Sequence, residues 1–263
     1  MNTPQTPPPV DEDAHAADAP HAPSHQTAEG FHRFAEVASV YLFALLWALT
    51  MWMMGSILYS EGYLWVLIFV LPLSWMASDV LTGLVHWMFD TYWTEETYFL
   101  GKAFVQPFRE HHTLPRNICE HDLASTIGNS CILGVVVQLI VLLTLLIFDV
   151  SALGASIMIW ALMSFAGAAL TNVFHKWAHA EENPAWIRLL QRTGLILSPE
   201  HHDVHHASPH DTYYCITNGW MNPVLDRLRF WRALEWCLRR VGVRPDEEVQ
   251  AELRQQQQQQ QPG

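Results

Sequence analysis

The sequence predicts an all-α integral membrane protein with four transmembrane helices. Half of its 263 residues are apolar and only 15% are charged, whereas ordinary soluble domains are about 25% charged. Four apolar stretches are each about long enough to cross a hydrocarbon core of roughly 30 Å, which takes about 20 helical residues. Low charge together with four stretches of this length indicates a helical bundle embedded in lipid.

The four predicted spans follow one another through the first two thirds of the chain. They cover residues 34–59, 62–90, 131–148 and 152–174. We expect Pro72 to kink the second span, because a membrane bundle tolerates helix-breaking residues. Small residues at 154–156 and 167–169 give the fourth span a surface for close helix packing.

Two tails flank the predicted membrane domain, which covers residues 31–244. Residues 1–30 are rich in Pro, Ala, Asp and His, lack apolar periodicity, and are predicted to be disordered. Residues 245–263 contain a Gln run and are predicted to form a second disordered tail.

Much of the formal net charge of −12 lies in these tails. Nothing in the sequence suggests the basic face that nucleic-acid binding requires.

Lys and Arg residues are distributed unevenly between the two sides of the predicted bundle. The connections near Ser60 and Asp149 have none, whereas the loop after the second span has Lys102, Arg109 and Arg116. The segment after the fourth span is also basic. Because positive charge stays on the cytosolic side, we expect both termini to be cytoplasmic. No organelle address is visible, so we expect a bacterial inner membrane.

Eleven histidines fall on this predicted cytosolic side and are the candidate metal ligands. They are His86, His111, His112, His121, His175, His179, His201, His202, His205, His206 and His210. One zinc ion needs only three or four protein ligands, so the surplus favours two metal ions. Neutral imidazole binds iron well. A single histidine at a helix end is more often a capping or interfacial residue, and the joint placement of all eleven is what favours a metal site.

The spacing of these histidines also suits a shared site. His175 and His179 are four residues apart, so a helix places both rings on one face. His202, His205 and His206 form an H-x-x-H-H pattern, which brings several rings to one side of a helix. The sequence therefore predicts a histidine-rich di-iron site on the cytosolic face.

Three polar residues near the histidines are the candidate catalytic groups: Asp79, Asp90 and Asn218. Asp79 and Asp90 are on the same predicted helix as His86 and share a stripe with it, where carboxylates are able to accept the ring N–H of a ligand. A carboxylate inside an apolar helix is costly unless it is paired, and a helix-to-helix hydrogen bond is the structural alternative for Asp79. Asn218 is a candidate for orienting a water molecule or a ligand, and a turn residue is the alternative.

The three basic residues of the middle loop are candidates for binding a lipid phosphate. These are Lys102, Arg109 and Arg116. Their alternative is the ordinary excess of positive charge on the cytosolic side of a membrane protein.

Several long segments closely resemble the plasmanylethanolamine desaturase family. That family shares a lipid desaturase domain with a plant plastid desaturase that acts on phosphatidylglycerol. The resemblance runs in order through residues 75–235. The segments that carry it are Asp79–Trp87, Gly101–His112, His121–Asp122, His175–His179 and His201–Trp220.

The resemblance implies a specific reaction. A di-iron centre would use O₂ as co-substrate to introduce the 1′-2′ cis double bond into 1-O-alkyl-2-acyl-glycerophosphoethanolamine, which gives a plasmalogen. An external electron donor, cytochrome b5-like or ferredoxin-like, would supply two electrons, since the chain has no flavin or iron–sulfur motif of its own.

Two alternatives remain open at the level of sequence. The same kind of iron centre serves acyl-lipid desaturases and hydroxylases, which differ only in the step after removal of the first hydrogen. A non-catalytic membrane metal-binding protein is a third class, but it would place polar ligands along a path through the membrane. The apolar spans are nearly free of histidine, which argues against that class.

Overall fold

The computed structural model describes residues 30–94, 96–98, 101 and 105–251, and within them the chain forms helices and no strands. Four long helices form a bundle, and five short helices lie mostly at one end of it. The α-helices are α1 Gly30–Ser60, α2 Leu67–Thr91, α3 Gln106–Thr113, α4 Leu123–Ile147, α5 Ala152–His179, α6 Ala185–Arg192, α7 Pro199–His206, α8 Asn222–Arg227 and α9 Phe230–Arg240.

The four long helices confirm the four predicted spans. Helices long and apolar enough to cross a membrane are His32–Ser60, Leu64–Thr91, Leu123–Ile147 and Ala152–His179. Because it has four helices of this length and composition, the chain is an integral membrane protein. The outward faces of these helices carry many exposed apolar side chains, as expected where lipid is the solvent.

The third span begins earlier than predicted, at Leu123 instead of residue 131. The Asp122 side chain accepts a hydrogen bond from the Ser125 N–H at 2.9 Å and caps the helix. The first two turns contain Ser, Thr and Asn, so hydropathy alone does not detect them. The α4 helix therefore extends below its apolar part toward the end where the histidines lie.

The bundle packs most closely through α1 against α4 and α2 against α5. The expected close approach of small residues is found at Gly167, where a Cβ atom would collide with Ser78. Ser78 Oγ donates to the Ser164 carbonyl of α5 at 2.9 Å. The two helices that carry His86 and His175 are thus held together directly.

Two of the spans are longer than the hydrocarbon layer requires. Leu64–Thr91 and Ala152–His179 each contain 28 residues, or about 42 Å of helix. A hydrocarbon core takes about 30 Å of this length. If the excess lies at the end that carries His86 and His179, those histidines are at the depth of the lipid headgroups.

The short helices cover that end of the bundle. In α6, Ile187 packs with Leu197 and Ile216 against Phe174 of α5. In α9, Trp231 packs against Trp87 of α2 and against Tyr214. Both contacts attach the segment after α5 to the two spans that carry histidines.

A buried carboxylate fixes the loop between α7 and α8 to α2. Asp79 is fully buried, and its Oδ1 accepts backbone N–H groups from Thr217, Asn218 and Gly219 at 2.9–3.0 Å. Its Oδ2 accepts the N–H of Met221 at 2.9 Å. Hydrogen bonds to a charged acceptor are about twice as strong as neutral ones. These hydrogen bonds join α2 to a loop, whereas the alternative role considered for Asp79 was a hydrogen bond between two helices.

The predicted tails fall mainly outside the described residues. The segment 246–251, which the sequence assigns to the C-terminal tail, is helical. Asp246 in this segment is nearly buried and accepts a hydrogen bond from Arg109 at 3.1 Å. The chain therefore keeps tertiary contacts beyond the predicted end of the membrane domain at residue 244.

We predict that Asp79→Ala destabilises the protein, because it leaves three buried N–H donors and the partly buried N–H of Met221 without an acceptor. Each buried donor left without an acceptor costs about 1–3 kcal/mol, so the loss of three acceptor contacts lowers the melting temperature by about 6 °C or more. Thermal unfolding of the purified protein in detergent measures the change. Asp149→Ala, in the exposed connection between α4 and α5, is the control, and equal melting temperatures for the two variants would refute the prediction.

Candidate metal centre

Nine side chains gather in two adjoining groups at one end of the bundle. Within each group, one possible ligand atom of every residue lies within 4.8 Å of those of the others. The five-histidine cluster consists of His111, His175, His179, His202 and His206. The His₃Asp cluster consists of His86, Asp90, His112 and His205.

Helical geometry explains how adjacent residues reach different clusters. Consecutive residues of an α-helix point about 100° apart, whereas residues four apart share a face. In α3, His111 faces the five-histidine cluster and its neighbour His112 faces the His₃Asp cluster. In α7, His202 and His206 share the first cluster, and His205 reaches the second.

The ring nitrogens of the five-histidine cluster converge on one point. His202 Nε2 lies 2.8 Å from His175 Nε2 and 3.1 Å from His206 Nε2. His206 Nε2 also lies 3.1 Å from His111 Nε2. A neutral imidazole has only one N–H, so hydrogen bonding does not account for all of these contacts. Nitrogens that bind one ion at about 2.1 Å, at right angles to one another, are about 3 Å apart.

The His₃Asp cluster surrounds a carboxylate. Asp90 Oδ2 lies 3.3 Å from His86 Nε2 and 3.6 Å from both His112 Nε2 and His205 Nε2. The two latter nitrogens are 3.0 Å apart. Both carboxylate oxygens of Asp90 are buried without a hydrogen-bond partner among the described residues. A buried, unpaired carboxylate is costly, and a metal ion would satisfy it.

Backbone carbonyls fix the tautomers of two histidines. His86 Nδ1 lies 3.1 Å from the Tyr214 carbonyl oxygen, and His205 Nδ1 lies 2.8 Å from that of Thr212. Because a carbonyl only accepts, each Nδ1 carries the proton. The Nε2 lone pairs of both rings therefore face the His₃Asp cluster, which is the usual arrangement of metal-ligating histidine.

The cluster histidines of α3 and α7 are held in the neutral form. Burial lowers the pKa of His111 to about 2 and that of His112 to about 3, and repulsion from neighbouring imidazoles adds to the effect. Burial also lowers the pKa of His205 to about 4. Neutral imidazole is the form that binds metal, so these rings are ready to act as ligands at neutral pH.

Three of the eleven predicted ligands lie outside both clusters. The backbone carbonyl of His121 accepts a hydrogen bond from the Lys176 ammonium group. His201 Nε2 lies 3.0 Å from Asn222 Nδ2. His210 stacks on His112 with ring centroids 4.6 Å apart.

The predicted phosphate-binding residues are engaged in ion pairs. Arg109 pairs with Asp246 at 3.1 Å, and Arg116 pairs with Glu181. Lys102 lies outside the described residues. A phosphate-binding role for the two arginines would require these pairs to open.

The predicted catalytic residues have different surroundings. Asp79 lies outside both clusters and accepts only backbone N–H groups. Asp90 is part of the His₃Asp cluster. Asn218 accepts the Trp220 N–H at 3.0 Å through Oδ1, and its Nδ2 is buried without a partner among the described residues.

Sequence reasoning treats Asp90 as a catalytic or ligand-orienting group, and the structure places it among the four side chains of the His₃Asp cluster, which could hold a metal ion. The signal for this is present in the sequence, since Asp90 follows His86 by four residues and shares its helix face. The carbonyls of Tyr214 and Thr212 have no sequence signal, because every residue has a backbone carbonyl.

The whole centre lies within a region that matches a known family. The family described as "Lipid desaturase domain" matches residues 75–248. The chain belongs to this family. All nine clustered side chains fall inside the matched region, so the protein is a membrane lipid desaturase whose histidine clusters are able to hold metal.

Curated relatives of the desaturase carry related names. It is 38% identical over 208 residues to the plasmanylethanolamine desaturase of Myxococcus xanthus, and the match covers 77% of this chain and 70% of that protein. It is 39% identical over 170 residues to plasmanylethanolamine desaturase 1 of Mus musculus, covering 61% of this chain and 60% of the relative. It is 30% identical over 175 residues to the chloroplastic fatty acid desaturase 4 of Arabidopsis thaliana, covering 65% and 51%. No solved structure matches the chain.

We predict that each cluster holds one metal ion. His202→Ala and His205→Ala each remove a ligand from a different cluster, so each variant is expected to lower the content from about two ions per chain to about one. Elemental analysis of the purified protein by inductively coupled plasma mass spectrometry measures this content. His121→Ala is the matched control and is expected to keep both ions; an unchanged content in the first two variants would contradict the assignment.

Proposed function

We propose that this desaturase introduces the 1′-2′ cis vinyl ether bond into 1-O-alkyl-2-acyl-glycerophosphoethanolamine and so forms a plasmalogen. The observation that carries the proposal is the pair of adjoining clusters in a chain 38–39% identical to two proteins named for this activity. One hydrogen leaves each of the first two carbons of the alkyl chain. O₂ accepts these two hydrogens together with two electrons and two protons, which yields two molecules of water.

Two iron ions are the proposed metals. The five-histidine and His₃Asp clusters would hold one each, and the bound pair would supply the activation of O₂ needed to attack an unactivated C–H bond. Imidazole and carboxylate suit iron. Asp90 offsets part of the positive charge that a purely histidine site would accumulate.

The protein's own residues position the ligands and shield them. Tyr214 and Thr212 hold His86 and His205 through their backbone carbonyls, which sets the direction of both Nε2 lone pairs. Phe108 packs on the His86 ring, with centroids 5.3 Å apart, and covers that side of the cluster. The His86 and His205 side chains are fully buried, so this side of the cluster is shielded from water.

The depth of the clusters suits the position of the reacting bond. In an ether phospholipid the first two alkyl carbons are next to the glycerol backbone, near the headgroups. His86 and Asp90 lie in the last turns of α2, and His175 and His179 lie in those of α5. A substrate whose tail lies among the spans is therefore able to bring these carbons to the clusters without leaving the bilayer.

The electrons would come from a separate protein, cytochrome b5-like or ferredoxin-like. All four cysteines are free, and two of them are buried; they do not form the four-cysteine site of a standard iron–sulfur cluster.

We also propose a bacterial inner membrane with both termini cytoplasmic. The basic middle loop and the basic segment after α5 support that orientation.

Acyl-lipid desaturation is the second candidate. The 30% identity to a chloroplastic fatty acid desaturase favours it, since the same family carries both names. The two candidates differ in the position of the new double bond. Acid treatment distinguishes their products, because an alkenyl ether is cleaved by acid and an acyl double bond is not.

We predict that a bacterium lacking vinyl ether lipids makes them when it expresses this chain and is fed an alkylglycerol. Lipid mass spectrometry before and after mild acid treatment measures the product. His202→Ala and His205→Ala are expected to abolish it, because each removes a ligand from a different cluster, while His121→Ala retains it. Acid-stable double bonds in acyl chains would instead indicate the second candidate, and vinyl ether formation by both ligand variants would refute the role of the clusters.

A further inference from the structure

A cavity of about 680 Å³ opens next to the five-histidine cluster. We call it the rim cavity. It begins at Ala180, directly after the cluster residue His179, and it includes Glu200, two residues before the cluster residue His202. Its lining consists of Ala180–Asn183, Arg188, Gln191, Arg192 and Ser198–Glu200.

The rim cavity presents charges of both signs. Glu181 is already paired with Arg116, and Arg188 donates to the Asn183 carbonyl. No ion pair or hydrogen bond joins the side chains of Glu182, Glu200 or Arg192 to other described residues. One guanidinium and two carboxylates are thus available to a ligand, a set that suits a zwitterion better than a simple anion or cation.

The cavity lies at the membrane boundary. On α6, Trp186 and Leu189 are exposed and three residues apart, as in an interfacial helix whose apolar face meets lipid. Trp75 of the second span donates from Nε1 to the Leu195 carbonyl at 2.9 Å. This bond ties the connection between α6 and α7 to a membrane-spanning helix, so the cavity is within reach of a lipid headgroup.

A neighbouring cavity provides a second, independent observation. It has a volume of about 330 Å³, shares Gln191 and Ser198 with the rim cavity, and is lined by Asn218. Asn218 is only 4% exposed, and its Nδ2 has no partner among the described residues. A buried donor without an acceptor is costly, and the ester or phosphate oxygen of a lipid would satisfy it.

Covalent geometry restricts where the substrate's headgroup can lie. The phosphate is separated from the reacting ether carbon by the three glycerol carbons and the intervening oxygens, and the ammonium group is a few bonds farther. At about 1.5 Å per bond, the six bonds from the reacting carbon place the phosphorus atom within about 9 Å of it, and four further bonds place the ammonium nitrogen within about 15 Å. Ala180 and Glu200 are one and two residues from cluster histidines, so their Cα atoms lie within about 8 Å of the Cα atoms of those histidines. This edge of the rim cavity is therefore within reach of both headgroup groups.

We infer that the rim cavity is the headgroup site for a phosphoethanolamine lipid. Arg192 binds the phosphate, for which guanidinium is well suited, and Glu182 and Glu200 bind the primary ammonium group. Asn218 donates to an oxygen of the same lipid from the adjoining cavity. This inference rests on the proposed function, because it takes the ethanolamine lipid as the substrate.

The direct test measures lipid binding without turnover. The full chain is purified, and its retention of diacyl phosphatidylethanolamine, phosphatidylcholine and phosphatidic acid is compared by native mass spectrometry. The wild type is expected to prefer the ethanolamine lipid. The double variant Glu182→Gln/Glu200→Gln is expected to lower that preference about tenfold, and Arg192→Gln to weaken retention of all three lipids.

Turnover gives a second readout. The double variant is expected to raise KM for the ethanolamine ether lipid about tenfold with kcat within about twofold, since it loses binding and not chemistry. Glu247→Gln and Arg232→Gln, both exposed and outside the cavity lining, are the matched controls and should resemble the wild type. Arg192→Lys keeps the charge and should recover part of the binding.

The outcomes separate the headgroup site from the proposed function. An ethanolamine preference that is absent in the wild type, or that survives in the double variant, overturns the headgroup site even if vinyl ether forms. A preference that the double variant loses supports the site even if the wild type forms no vinyl ether, in which case the proposed function alone fails. A fall in kcat with unchanged KM also overturns the site.

Discussion

The architecture of the metal centre depends on the buried carboxylate of Asp79. Four backbone N–H groups from one loop meet this single side chain of α2, so the loop has little freedom to move relative to the span. The loop follows Tyr214, whose carbonyl orients His86. A charge within the bundle thus stabilises the segment that aims a proposed ligand, although the charge takes no part in the cluster itself.

The clusters also depend on two short helices that have little apolar surface of their own. In α3 and α7 the neighbouring histidines face different clusters, so each helix is fixed at both centres at once. Metal binding to such sites contributes to folding, because the ligands are not assembled in the unfolded chain. We therefore expect α3 and α7 to gain more order from bound metal than the long spans do.

The sequence predicts the bundle better than it predicts the centre. Span number follows from hydropathy, and the gathering of histidines on one side follows from the positions of Lys and Arg. The start of α4 escapes hydropathy because Asp122 caps two polar turns. Helical spacing separates adjacent histidines, but which ring joins which cluster, and the position of His121, His201 and His210 outside both, depend on tertiary contacts that spacing does not encode. The partners of Asp79 are equally hidden, since they are backbone groups of a loop far along the chain.

The adjacent residues His111 and His112 limit which sequence changes the metal centre tolerates. Because one peptide unit joins a residue of each cluster, the separation between the two centres is tied to the fixed length of the backbone. Substitution of a side chain alters one centre and leaves that separation intact. Inserting a residue between the pair would turn one ring away by about 100°. Divergence at this point is therefore confined to exchange of side chains.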